Sequence, residues 1–152
     1  SEFSEGAYTG EVNASQVKEF AEYVIIGHSE RRKNFNEDDN LLDKKVSMAV
    51  SQEIIPIFCV SDAIMKIPSA VKIVAYEPIF AIGTGDADSP DDAEKVARKI
   101  KDNNGNVERV LYGGSVDPSN VSLFTRMENT DGVLVGGGSL DASEFLKIIQ
   151  NA

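Results

Sequence analysis

One carboxylate, one imidazole and a few glycine turns carry whatever chemistry this chain can do. Glu77 stands in the run Ile73-Val74-Ala75-Tyr76-Glu77-Pro78-Ile79-Phe80-Ala81-Ile82-Gly83-Thr84-Gly85. There an apolar segment delivers a bare carboxylate straight into a loop that starts on proline and ends on glycine. An isolated Glu is ordinarily a solvated loop residue. Flanked by apolar residues on both sides it needs a reason, and a buried general base beneath a covering loop supplies one. His28 is the only histidine. A lone His more often fills a structural role than a catalytic one, but Gly27-His28-Ser29-Glu30 puts this one at a strand end just before a helical segment, which reverses that preference. Gly83, the pair Gly114-Ser115 and the pair Gly136-Gly137 follow apolar runs and let backbone amides approach closely, as a phosphate requires. Any one pair reads as a tight turn; three such sites after strands favour an anion site.

Several classes of chemistry are set aside. One His, one Cys and scattered carboxylates show no metal-ligand spacing, so no metal site is expected. Gly83-Thr84-Gly85-Asp86-Ala87-Asp88 lacks the third glycine of a dinucleotide fingerprint, and Gly136-Gly137-Gly138 lacks the pattern altogether, so no cofactor is expected. The formal charge of -10 argues against nucleic acid or an anionic membrane, which need clustered Lys and Arg. The one basic triplet, Arg31-Arg32-Lys33, is expected to be a solvated face. A single cysteine, Cys59, allows no internal disulfide and fits a reducing cytoplasm. No apolar run reaches the roughly 18 residues that span a bilayer, and no basic-then-apolar signal opens the chain.

The elements that must position these groups alternate along the chain. Apolar runs at Tyr23 to Gly27, Ile54 to Val60, Lys72 to Tyr76, Arg109 to Tyr112 and Gly132 to Val135 are continuous rather than alternating, which predicts a parallel sheet covered by helices. Helix starts are predicted at Asn13 with Gln16, at Ser89-Pro90 with Asp92, at Asp117-Pro118 and at Asp141 with Glu144. Between Glu37 and Gln52, Leu41, Leu42, Val46, Ala49 and Val50 recur at helical spacing. The pattern is βα units throughout, in one domain over residues 1–152.

Five blocks, in order, resemble triosephosphate isomerases. Besides the Glu77 run they are Gly6-Ala7-Tyr8-Thr9-Gly10-Glu11-Val12, Tyr23-Val24-Ile25-Ile26-Gly27-His28-Ser29-Glu30-Arg31-Arg32, Arg109-Val110-Leu111-Tyr112-Gly113-Gly114-Ser115-Val116, and Asp131-Gly132-Val133-Leu134-Val135-Gly136-Gly137-Gly138-Ser139-Leu140. The resemblance implies an α/β fold: a partial TIM (β/α) barrel of five parallel strands with covering helices, lacking the three N-terminal strands of the family. A full barrel takes roughly 250 residues, more than this chain has. By resemblance Glu77 is the base that shuttles a proton between adjacent carbons of a triose phosphate. His28 is the neutral imidazole that polarises the carbonyl, for which this family is the standard example. Gly83, Ser115, Gly136 and Gly137 hold the phosphate. Pro78, Phe80, Ile82 and Thr84 belong to the lid, and Tyr112, Ser29 and Glu30 to its support. The first block looks like the family's interface loop, and homo-oligomers are expected.

The departures from that pattern matter as much. The resemblance places an Asn and a catalytic Lys on an absent strand, and Glu30 looks like the residue that contacts that lysine. Phe80 stands where the family usually has Trp. Asp86-Ala87-Asp88 stands where it has Lys and small residues, which should disfavour closure over a dianion, and Asp88 takes the position that Tyr112 latches. Ser61 to Ala70 has room for little more than a short helical turn. Two readings remain. One is an isomerase of glyceraldehyde 3-phosphate and dihydroxyacetone phosphate, inactive or very weak as a lone chain. The other is a non-catalytic partial barrel that self-associates or binds phosphate weakly.

Overall fold

A computed structural model describes residues 1–78 and 88–152. Strands β1 (Tyr23–Ile26), β2 (Ile55–Val60), β3 (Ile73–Tyr76), β4 (Arg109–Tyr112) and β5 (Gly132–Val133) form one sheet in the order β1-β2-β3-β4-β5. Every neighbouring pair is parallel. The sheet is open, with β1 and β5 at its edges, as part of a barrel would be. Its fifth strand is shorter than the apolar run Gly132 to Val135: the ladder ends with Leu134 N–H donating to Tyr112 C=O, after which the chain turns into the glycine loop.

Parallel strands require crossovers, and helices supply most of them. In chain order the helices are α1 (Ala14–Lys18), α2 (Ser29–Phe35), α3 (Asp39–Ser51), α4 (Pro90–Asn103), α5 (Val121–Thr125) and α6 (Ala142–Asn151). Helices α2 and α3 link β1 to β2, α4 precedes β4, and α5 precedes β5. Residues 61–72, between β2 and β3, form turns and no helix. Met65 Sδ accepts from both the N–H and the hydroxyl of Ser61, each at 3.2 Å, and pins this short crossover. Leu42, Val46 and Ala49 of α3 and Ala93, Ala97 and Ile100 of α4 are buried, while Val50 turns to solvent. With Phe58, Val74, Val110 and Phe124 they build the core, each large side chain contributing roughly 1.5–3 kcal/mol by leaving water.

The predicted caps at Asn13, Ser89 and Asp141 are present, Asn13 in a full capping box with Gln16. Asp38 caps α3 by accepting from Leu41 N–H, 2.8 Å. The signal at Asp117-Pro118 reads differently in the fold. Asp117 Oδ1 accepts from the N–H of Ser119 (2.6 Å) and of Asn120 (3.1 Å), making a side-chain-closed turn, and α5 begins only at Val121. A short carboxylate competes with the backbone in this way wherever the following residues are not yet helical.

The basic triplet is only partly a solvated face: Arg31 and Lys33 are exposed, and Arg32 is half-buried. Arg32 donates from Nε to Gly27 C=O (2.8 Å), from Nη2 to Cys59 C=O (3.3 Å) and from Nη1 to Asp39 (3.0 Å), tying the ends of β1 and β2 together. Arg31 donates to the buried Glu37 at 2.6 Å. Two of the three cations therefore serve structure, although Arg31, like Lys33, remains exposed.

Candidate active site

The parallel ladder brings the carboxyl ends of the strands level, since Val60 pairs with Tyr76 and Tyr76 with Tyr112. The residue after β3 is Glu77. Its N–H donates to Val60 C=O (2.8 Å), while Gly113 N–H donates to Tyr76 C=O (2.8 Å), so the Tyr76–Glu77 peptide is held from both sides. The Glu77 side chain is only 2% exposed. A carboxylate so buried needs partners. Oε2 accepts from Ser29 N–H at 3.1 Å, and Oε1 lies 3.2 Å from His28 Nε2.

His28 is the N-cap of α2, its Nδ1 accepting from Glu30 N–H at 3.3 Å. An accepting Nδ1 leaves the proton of a neutral ring on Nε2, so the hydrogen-bond pattern assigns an Nε2–H directed at Glu77. Chain reversal here is possible because Gly27 has φ +79, a conformation L side chains rarely adopt. Cys59, at the end of β2, lies beside the pair. Burial, and then the Glu77 carboxylate, push its thiol well above the ordinary range, so it stays protonated.

A cleft of about 540 Å³ opens above the strand ends. It brings together His28, Glu30, Glu77, Ser115, Gly136 and Gly137. Ser29 reaches Glu77 through its amide, and Pro78 is buried next to it. Tyr112 stands behind Gly114, where a Cβ would come within 2.2 Å of its hydroxyl. Phe80, Ile82, Gly83 and Thr84 lie outside the described residues. Among the described residues no Lys or Arg lines this cleft, whereas Glu30, Glu77 and Asp117 do. A second cleft, also about 540 Å³, flanks Glu77 on the β2 side and carries Lys33 at its rim. Lys66 is elsewhere, paired with Asp43.

Asp88 meets Tyr112, as its place in the sequence suggests, but through its backbone. Its carboxylate does not line the cleft: Oδ2 accepts from the Tyr76 hydroxyl at 3.3 Å and Oδ1 from Ser89 N–H at 2.9 Å, while its own N–H donates to the Tyr112 hydroxyl at 2.8 Å. Sequence reasoning missed Cys59, Arg32 and Tyr76 as neighbours of the site. For Cys59 a signal existed, because it occupies the carboxyl end of β2 just as His28 and Glu77 follow β1 and β3.

The triosephosphate isomerase family model matches residues 1–152. The chain is 40% identical, over 173 aligned positions, to the triosephosphate isomerase of Mesomycoplasma hyopneumoniae (strain 7448), an alignment covering 100% of this chain and 72% of that protein. It is 42% identical to the triosephosphate isomerase of Leifsonia xyli subsp. xyli, covering 99% of this chain and 70% of the relative. The corresponding protein of Coxiella burnetii (strain Dugway 5J108-111) is 41% identical, with 99% and 71% covered. Together with the open parallel sheet and the strand-end placement of Glu77 and His28, these matches show that the chain belongs to the triosephosphate isomerase family.

Proposed function

We propose that the cleft is built for aldose–ketose isomerisation of a triose phosphate, the interconversion of glyceraldehyde 3-phosphate and dihydroxyacetone phosphate in glycolysis. Glu77 takes a proton from the carbon beside the carbonyl and returns it to the neighbouring carbon. His28 donates its Nε2–H to the oxygen on which negative charge develops. Backbone amides at Ser115, Gly136, Gly137 and Gly83 take the phosphate, and Tyr112, Ser29 and Glu30 support the groups around them. The observation that carries this reading is the 3.2 Å pairing of a 2%-exposed carboxylate after β3 with an Nε2–H after β1, across the end of β2, in a cleft that runs out onto glycine turns.

The same cleft argues that the 152-residue chain by itself is inactive or nearly so. Proton transfer contributes roughly 10²- to 10⁴-fold. Holding the substrate and stabilising the enediolate charge contribute more, and the loss of one preorganised donor costs roughly 10²- to 10³-fold. Among the described residues no Lys or Arg lines the cleft that would take the dianion and the developing oxyanion. A coupled isomerase assay on the purified chain tests this.

A second reading, a non-catalytic module that binds phosphate weakly and self-associates, is favoured by the unpaired edge of β1. Tyr23 and Ile25 on that strand are 48% and 46% exposed, and Leu146 and Ile149 of α6 are 57% and 55% exposed. Exposed strand edges beside apolar side chains invite pairing with another copy. Sedimentation of the chain at increasing concentration distinguishes a homodimer from a monomer. We place both readings in a single domain working in the reducing cytoplasm, where the buried free thiol of Cys59 stays reduced.

A further inference from the structure

We infer that Asp88 is a positioning residue for Glu77, acting through the Tyr76 hydroxyl; this rests on reading Glu77 and His28 as a working pair. One residue at the head of α4 grips the ends of two adjacent strands. Its N–H donates to the Tyr112 hydroxyl (2.8 Å) on β4 and its Oδ2 accepts from the Tyr76 hydroxyl (3.3 Å) on β3. The two tyrosines are register partners with ring centroids 6.4 Å apart. A residue without a side-chain acceptor at this position could donate its backbone N–H to Tyr112 but could not hold Tyr76.

Tyr76 matters because Glu77 follows it. The peptide they share is fixed by Gly113 N–H on one side and Val60 C=O on the other. Gly113 also packs close to Glu77, where a Cβ would stand 3.1 Å from Glu77 Cγ, so a turn of Tyr76 that shifts the shared peptide shifts Glu77 with it. Tyr76 is 6% exposed, and a buried phenol that loses its acceptor must reorient toward water. Burial, and then the Asp88 charge, raise the Tyr76 pKa, so its hydroxyl keeps the proton that the bond needs. The carboxylate thus sets the ring, the ring sets the peptide, and the peptide sets the distance from Glu77 to His28.

Because His28 is the only histidine, its imidazole resonances report that distance without interference. The experiment records them in the full chain and in Asp88→Ala, Asp88→Asn, Tyr76→Phe, the Asp88→Ala/Tyr76→Phe double variant and Glu77→Gln. Glu77→Gln moves the resonances because it removes the charge beside Nε2. Asp88→Ala and Tyr76→Phe move them in a common direction, and the double variant goes no further than either single change, the mark of one shared interaction. Asp88→Asn, which keeps an acceptor oxygen, stays close to the parent chain. Wild-type resonances in Asp88→Ala alongside a clear shift in Glu77→Gln overturn the inference and leave the site reading intact, as do additive single effects. An unmoved imidazole in Glu77→Gln removes the pair itself and both readings with it. Tyr76→Phe and Asp88→Asn preserve bulk, so they decide the matter even where Asp88→Ala does not fold.

Discussion

Gly113 is packed against Glu77: a Cβ at position 113 would lie 3.1 Å from Glu77 Cγ and 3.2 Å from Tyr76 C=O. The first contact is with a side chain that cannot swing away, being buried between Ser29 N–H and His28; the second is with backbone. Gly113→Ala is therefore predicted to displace Glu77 from His28 and to destabilise the chain by about 1–3 kcal/mol, the usual range for overpacking. Chemical denaturation together with the His28 imidazole spectrum checks it. A variant of unchanged stability and unchanged spectrum would mean that the carboxylate sits elsewhere in solution.

Gly114 is the tighter case, since its Cβ would meet the Tyr112 hydroxyl at 2.2 Å. Tyr112 is 1% exposed, stacked on Phe124 with centroids 4.0 Å apart, and bonded to Asp88 N–H. The ring has nowhere to go without surrendering both contacts. Gly114→Ala is expected to cost at least as much as Gly113→Ala, about 2–3 kcal/mol. Comparing the two unfolding midpoints under one set of conditions tests the ranking.

Glu37 ties stability to pH. It is 5% exposed and accepts from Lys45 and Arg31, each at 2.6 Å. Burial pushes its carboxyl up, but the hydrogen bonds from Lys45 and Arg31 outweigh that and leave it below its ordinary 4.5. With the folded value below the unfolded one, the stabilisation is fully present above about pH 4.5 and is lost as pH falls through the lowered value. Glu37→Gln should cost about 1.5–3 kcal/mol at pH 7, toward the lower end because Arg31 is half exposed, and the deficit should shrink on acidification. A gap between parent and variant that stays constant down to pH 3 contradicts the assignment.

Legibility in the sequence follows how local each signal is. Strands β1 to β4 and the caps at Asn13, Ser89 and Asp141 can be read because an apolar run or a side chain closing on an amide three residues away is written within a few positions. Asp117 misleads for the same reason: a capping residue and a turn-closing residue have one local signature, and only packing of the next residues separates them. His28 and Glu77 are legible because single polar residues at strand ends stand out. That Arg32 bridges Gly27 and Cys59, and that Asp88 turns to Tyr76 and away from the cleft, depends on strand neighbours far apart in the chain, which no short window contains.

Inorganic phosphate should bind weakly, and only at the glycine turns. Ser115, Gly136 and Gly137 face one cleft with no described Lys or Arg lining it. Backbone amides can gather a dianion, but without a cation they gain little over water. Titration followed by amide resonances should move those three residues and leave the second cleft near Lys33 unaffected. Shifts confined to the Lys33 side would relocate the anion site.

The most direct test is isomerase activity of the purified 152-residue chain with glyceraldehyde 3-phosphate, in parallel with Glu77→Gln. The expected result is no turnover, or a trace that Glu77→Gln removes, and a rise when a polypeptide spanning the part of the relatives that this chain does not match is added in trans. A rate for the chain alone in the range of efficient enzymes, abolished by Glu77→Gln, would be the contrary result: some group already present, with Lys33 the first to examine, would be supplying the charge that the cleft is argued to lack.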